Sequence, residues 1–156
     1  MPISKTTYWH RSLNPKKLVE VGFSSLPANT PMSRYSKLLK LPTEQSIKGL
    51  RPMKKTDVKV VTALLNEYLK RFEVYLKFSE AEVEHFLVPR EGVIDTYVLE
   101  NPETHEIKDF LSFYHLNSSI LKHDTHKTLR VAYCYYNVAN TVSMEELLRN
   151  SLIIAK

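Results

Sequence analysis

The chain has 156 residues, with 22 Lys plus Arg against 17 Asp plus Glu, a formal net charge of +5, and 43% hydrophobic residues. That balance fits one folded domain able to bury about two-thirds of its unfolded surface, and excludes two domains of ordinary size. One cysteine excludes an internal disulfide and a cysteine-based zinc site, no run approaches the roughly 18 apolar residues of a membrane span, and the scattered Gly22, Gly49 and Gly92 exclude a Gly-rich phosphate loop.

The opening residues MPISKTTYWHRS lack the apolar centre of a signal peptide, so a reducing, cytoplasmic setting is expected. Residues 1–48 read as a connecting arm punctuated by Pro27, Pro31 and Pro42. Within it, Asn14 followed by Pro15 predicts a helix over 15–20, with Asn as cap and Pro at the first helical position. A second short helix is expected over 32–39. The basic bias of this arm reads as solvated surface, and no nucleic-acid partner is expected.

Residues 49–53 predict a short edge strand, because Pro52 cannot donate to a ladder. Thr56 is placed to cap the next helix, with Asp57 in its first turn. Val58, Val61, Leu64, Leu65, Tyr68, Leu69 and Phe72 then recur at helical spacing. Ser79 and Glu82 form a capping box that opens a helix reaching Leu87. Residues 93–100 predict a strand, 101–104 a turn and 107–116 the returning strand of a hairpin. Asn117, Ser118 and Ser119 read as a polar loop. Residues 129–138 read as a strand buried on both faces, with Cys134 an inert core residue. A capping box at Ser143 and Glu146 opens a last helix carrying Leu147, Leu148, Leu152, Ile153 and Ile154.

The chemistry-bearing residues are sparse. His123 and His126 sit three apart in a loop, too few ligands for a metal site. His115 is expected at a strand end and His105 in a turn. No serine or cysteine sits in a nucleophile elbow. The fold class expected is α+β, a mostly antiparallel central sheet flanked by helices.

That order resembles one half of the Gcn5-related acetyltransferase fold. There, a Gly-rich turn before a helix holds CoA by its backbone amides. The corresponding stretch here, 138–143, contains no glycine, so no CoA site is expected.

Six strings carry a more specific likeness: Tyr8-Trp9-His10-Arg11-Ser12-Leu13-Asn14-Pro15-Lys16-Lys17-Leu18, Gly49-Leu50-Arg51-Pro52-Met53, Glu82-Val83-Glu84-His85-Phe86, Ile94-Asp95-Thr96-Tyr97-Val98, Asp109-Phe110-Leu111-Ser112-Phe113-Tyr114 and Ala132-Tyr133-Cys134-Tyr135-Tyr136-Asn137-Val138. In this order the chain resembles the eukaryotic glycylpeptide N-tetradecanoyltransferases, or N-myristoyltransferases. The resemblance implies an acyltransferase that moves myristate from myristoyl-CoA to the N-terminal glycine of proteins. The glycine ammonium must lose a proton before its nitrogen attacks the thioester. In the family the base is the carboxylate of the last residue, a role the resemblance does not give to Lys156. The oxyanion is held by backbone amides of the family's first half.

The likeness runs from the end of that first half into the second, so the chain reads as a fragment: a connecting arm, 1–48, and a truncated peptide-binding half, 49–156. No catalytic, cofactor or metal residue carries over. Six peptide-lining positions do: Tyr8, His10, Phe23, Ser118, Leu129 and Tyr133. The resemblance implies N-terminal glycine peptides and the remaining halves of the enzyme as partners. It implies inactivity of this piece alone and self-association through exposed apolar surface. The alternative is a non-catalytic peptide-binding module with a degenerate acetyltransferase fold.

Overall fold

A computed structural model describes residues 5–156. They form two compact units, residues 5–41 and Pro42–Ala155. In the first, helix α1 (Pro15–Glu20) begins where expected: the Asn14 side chain accepts from the Lys17 N–H at 3.2 Å, and Pro15 occupies the first turn. The chain then reverses at Gly22, whose φ of +73° suits glycine, and the N–H groups of Phe23 and Ser24 donate to the Leu18 carbonyl. Helix α2 spans Met32–Leu38. Arg11 donates from its guanidinium to the carbonyls of Ser12 (2.8 Å) and Leu39 (3.0 Å), tying the segment ahead of α1 to the end of α2.

The second unit contains strand β1 (Leu50–Pro52), a 3₁₀ turn (Lys55–Asp57), helices α3 (Val58–Leu69) and α4 (Glu80–Leu87), strands β2 (Ile94–Glu100), β3 (Ile107–Ser119) and β4 (Thr128–Cys134), and helix α5 (Met144–Ala155). The four strands make one antiparallel sheet in the order β1-β2-β3-β4. The α+β class and the antiparallel sheet are as expected. No described helix is long and apolar enough to cross a membrane.

Alternation along the strands divides the core. Val98 and Phe110 pack with Val61 and Leu65 of α3 and Val83 and Leu87 of α4. Leu111 and Phe113, on the opposite face, pack with Ile47 and Leu147 of α5. Ser79 caps α4 as its sequence dictates: its hydroxyl accepts from the Glu82 N–H, and the Glu82 carboxylate accepts from the Ser79 N–H at 2.8 Å. The Ser143 hydroxyl accepts from the Glu146 N–H at the start of α5. Asn101 closes the hairpin turn by accepting from the N–H groups of Glu103 and Thr104.

Several expectations need correction. Thr56 does not cap α3; Asp57 takes the lead position, accepting from the Lys54 N–H at 2.8 Å and from the Arg51 guanidinium at 2.7 and 3.1 Å. The Asp57 side chain closes the 3₁₀ turn ahead of α3, where a cation and an amide satisfy its carboxylate, and makes no cap bond to α3 itself. Phe72 lies beyond the end of α3 and is half-exposed. Asn117, Ser118 and Ser119 are not a loop: they continue β3, paired with Arg130, Leu129 and Thr128. His115 accordingly lies inside β3 rather than at its end, with Nε2 2.6 Å from the Asp95 carboxylate. The last strand ends at Cys134, is half-buried rather than enclosed, and leaves Cys134 exposed. It is the terminal strand of the sheet order, which removes one flanking neighbour.

Candidate functional site

The six peptide-lining positions fall into two groups. In the first unit, the His10 ring bridges Tyr8 (centroids 6.2 Å apart) and Phe23 (5.8 Å, edge-on). The reversal at Gly22 is what returns Phe23 to the Tyr8–His10 segment. All three rings remain exposed, Tyr8 by 65% and Phe23 by 48%. They form an aromatic wall that carries a phenol and an imidazole.

In the second unit, Ser118 pairs directly with Leu129 across β3 and β4, and Tyr114 pairs with Tyr133. Leu129 and Tyr133 are four residues apart on one strand, so they share a face with Ser118 over about 13 Å. Tyr133 stacks on Tyr114 at 5.3 Å, and Tyr135 meets Tyr114 edge-on at 5.5 Å. Burial, with smaller contributions from Tyr136 and Tyr114, raises the Tyr135 phenol above its ordinary value, so it stays protonated and can donate. The exposed Ser118 hydroxyl lies at the open end of this aromatic patch.

The turn before α5 has a different character. The Asp109 carboxylate, 1% exposed, accepts from the N–H groups of Asn140 (2.6 Å) and Thr141 (2.8 Å) and from the Thr141 hydroxyl. The Asp109 carboxylate therefore occupies two of the backbone donors of the 138–143 stretch, where the acetyltransferase fold would offer amides to CoA. A hollow of about 230 Å³ beside it is lined by Lys48 and Lys108 but also by Glu100, Glu106 and Asp109. Three carboxylates make poor company for a diphosphate.

Sequence reasoning missed Asp109 and Asn150. Asn150 is fully buried; its Oδ1 accepts from the Ser46 N–H and its Nδ2 donates to the Glu146 carbonyl and the Ser46 hydroxyl. The available signal for Asn150 was its helical spacing with Leu147 and Ile154, a polar residue on an apolar helix face, which marks a position whose partner lies elsewhere in the chain. The His123 Nδ1 accepts from the His126 N–H at 3.1 Å. No group of three metal-ligating side chains occurs among the described residues.

The comparisons with known proteins agree with one another. The family model "Myristoyl-CoA:protein N-myristoyltransferase, C-terminal domain" matches residues 20–156. The chain is 52% identical over 155 residues to the glycylpeptide N-tetradecanoyltransferase 1 of Arabidopsis thaliana, covering 99% of this chain and 36% of that protein. The glycylpeptide N-tetradecanoyltransferase 2 of Bos taurus is 46% identical, with 99% of this chain and 31% of that protein covered. The Saccharomyces cerevisiae N-myristoyltransferase crystallised with bound myristoyl-CoA superposes with a TM-score of 0.83 at 32% identity, covering 93% of this chain and 38% of that one. The chain spans about a third of the length of the curated relatives it matches.

Proposed function

The chain belongs to the myristoyl-CoA:protein N-myristoyltransferase family, and from that premise we propose that it is the part of a myristoyl transferase that receives the acceptor peptide. The enzyme it serves moves myristate from myristoyl-CoA to the N-terminal glycine of proteins. In this reading residues 1–48 are a connecting arm and 49–156 the peptide-binding half. Tyr8, His10 and Phe23 supply an aromatic wall for the acceptor peptide, Leu129 and Tyr133 an apolar floor, and Ser118 a hydroxyl that hydrogen-bonds the peptide.

The observation that carries the division of labour is Asp109 in the turn before α5. A turn whose Asn140 and Thr141 amides are already taken by an internal carboxylate is a poor seat for the CoA diphosphate, so donor binding and the acyl-transfer step are assigned to other parts of the enzyme. The chain alone is therefore inactive. Its contribution to rate is positional: it holds the glycine amine near the thioester.

The test has two arms. Incubated with myristoyl-CoA and a peptide beginning with glycine, the chain is expected to yield no myristoyl-peptide by mass spectrometry; turnover would overturn the inactivity. By fluorescence polarisation the same peptide is expected to bind the chain, and more weakly to Tyr8→Ala and Ser118→Ala. Unchanged affinity in both variants would remove the groove assignment. Equal affinity for a peptide lacking the glycine would favour a non-catalytic peptide-binding module.

A further inference from the structure

The loop between α3 and α4 displays large apolar side chains that the core does not use. Val74 is 94% exposed and Leu76 66%, with Phe72 at 48% and Tyr75 at 44%. Four such residues within five positions make a concentrated apolar tip, of the kind a soluble surface rarely leaves bare without a partner.

The tip stands on a fixed base. The Phe72 N–H donates to the Leu69 carbonyl at 3.1 Å, closing the end of α3. On the other side, the Asn66 amide brackets the backbone of buried Phe78: its Oδ1 accepts from the Phe78 N–H and its Nδ2 donates to the Phe78 carbonyl, both at 2.8 Å. Val74 and Leu76 are the most exposed of the intervening side chains, while Phe72 lies near the Tyr68 ring of α3, with centroids 6.2 Å apart.

Cations flank the tip on both sides. Lys70 and Arg71 precede it and Lys77 follows, with Glu73 among them, so residues 70–77 carry +2; Lys70 is itself paired with Glu67 at 2.5 Å, which leaves Arg71 and Lys77 to carry the positive charge. The Arg71 guanidinium lies 3.9 Å over the Tyr68 ring, which fixes its direction. A shallow hollow of about 360 Å³ opens beside the tip, lined by Leu64, Glu67, Tyr68, Lys70, Arg71 and Asn140.

An apolar tip alone would suit any partner. An apolar tip bracketed by cations matches the layering of a bilayer surface: acyl chains receive the aliphatic groups, and anionic headgroups meet the lysines and arginine. Tyr75, apolar in its ring and polar at its hydroxyl, suits the boundary between them. We propose that loop 70–77 is a peripheral docking element for an anionic phospholipid surface, with Val74 and Leu76 entering the acyl boundary and Arg71 and Lys77 engaging headgroup phosphates. This inference is independent of the peptide-groove reading and stands or falls separately.

The test is co-sedimentation of the chain with vesicles of phosphatidylcholine mixed with phosphatidylserine, compared with phosphatidylcholine alone. Binding is expected to the mixed vesicles, to weaken with added salt, and to fall at least about tenfold in Val74→Asp/Leu76→Asp. Because both side chains are exposed, this variant should keep its circular dichroism spectrum and unfolding midpoint. Arg71→Glu/Lys77→Glu should also lose binding. A Val74→Trp variant in a Trp9→Phe background places a single indole at the tip, and lipids brominated on their acyl chains should quench its fluorescence. The proposal is overturned if the unmodified chain ignores the mixed vesicles, if both double variants bind as it does, or if bromolipids leave the indole of the Val74→Trp variant unquenched. It is also overturned if Val74→Asp/Leu76→Asp instead converts an oligomer to a monomer in sedimentation velocity, which would make the loop a contact between copies.

Discussion

The two ends of strand β3 live in different environments. Asp109 through Phe113 are all buried, with α3 and α4 on one face and α5 on the other. Leu116 through Ser119 are exposed. The first end is held by packing, where each enclosed side chain contributes roughly 1.5–3 kcal/mol. The second is held by ladder hydrogen bonds and the Tyr114–Tyr133 stack, each worth about 1 kcal/mol. Stability and access to a ligand make opposite demands on a side chain, and a single strand meets both by changing environment along its length.

The largest effect expected is at the covered end. Phe110→Ala, at a site with 0% exposure, should cost about 3–5 kcal/mol in urea unfolding. Next comes Asp109→Ala, which leaves two backbone donors and the Thr141 hydroxyl without their acceptor. A loss of about 2–3 kcal/mol is expected, together with faster hydrogen exchange at Asn140 and Thr141.

A smaller effect belongs to the Arg51–Asp57 pair at the far edge of the same sheet. Burial alone would raise the Asp57 carboxyl; the Arg51 guanidinium and the Lys54 N–H outweigh it and hold the carboxyl below its ordinary 3.8. Its contribution is therefore complete above the unfolded value and lost as pH falls through the lower folded one. Thermal unfolding midpoints should drop on acidification below about pH 4, and Asp57→Asn should flatten that step while lowering the midpoint at neutral pH.

The smallest effect on stability is expected at the open end. Ser118→Ala should change it by less than about 0.5 kcal/mol while weakening binding of a glycine-started peptide. A loss there rivalling that of Phe110→Ala would erase the distinction between the two ends.

Much of this architecture was legible from short-range chemistry. Asn14–Pro15, Ser79–Glu82 and Ser143–Glu146 act on amides three residues away, so their caps appear at the expected places. The hairpin turn at Asn101 is equally local. The site residues Tyr8, His10, Phe23, Ser118, Leu129 and Tyr133 came from family likeness rather than from pattern, because an exposed aromatic and a packed one look alike in a sequence. Ser118 reads as loop for a related reason: Asn-Ser-Ser is turn-like alone, and only the register with β4 makes it strand.

By itself, the sequence determined where α1, α4 and α5 begin, where the hairpin turns, and that a Gly-rich phosphate loop is absent, since these depend on neighbours a few residues apart. Tertiary structure alone decided that β4 is half-open, that Asp57 rather than Thr56 leads α3, that Asn150 binds the 46–47 backbone, and that Asp109 fills the turn before α5. Each of these joins groups distant in the chain or depends on whether another element covers a face. Burial and pairing of that kind are properties of the assembled fold, and no local residue pattern carries them.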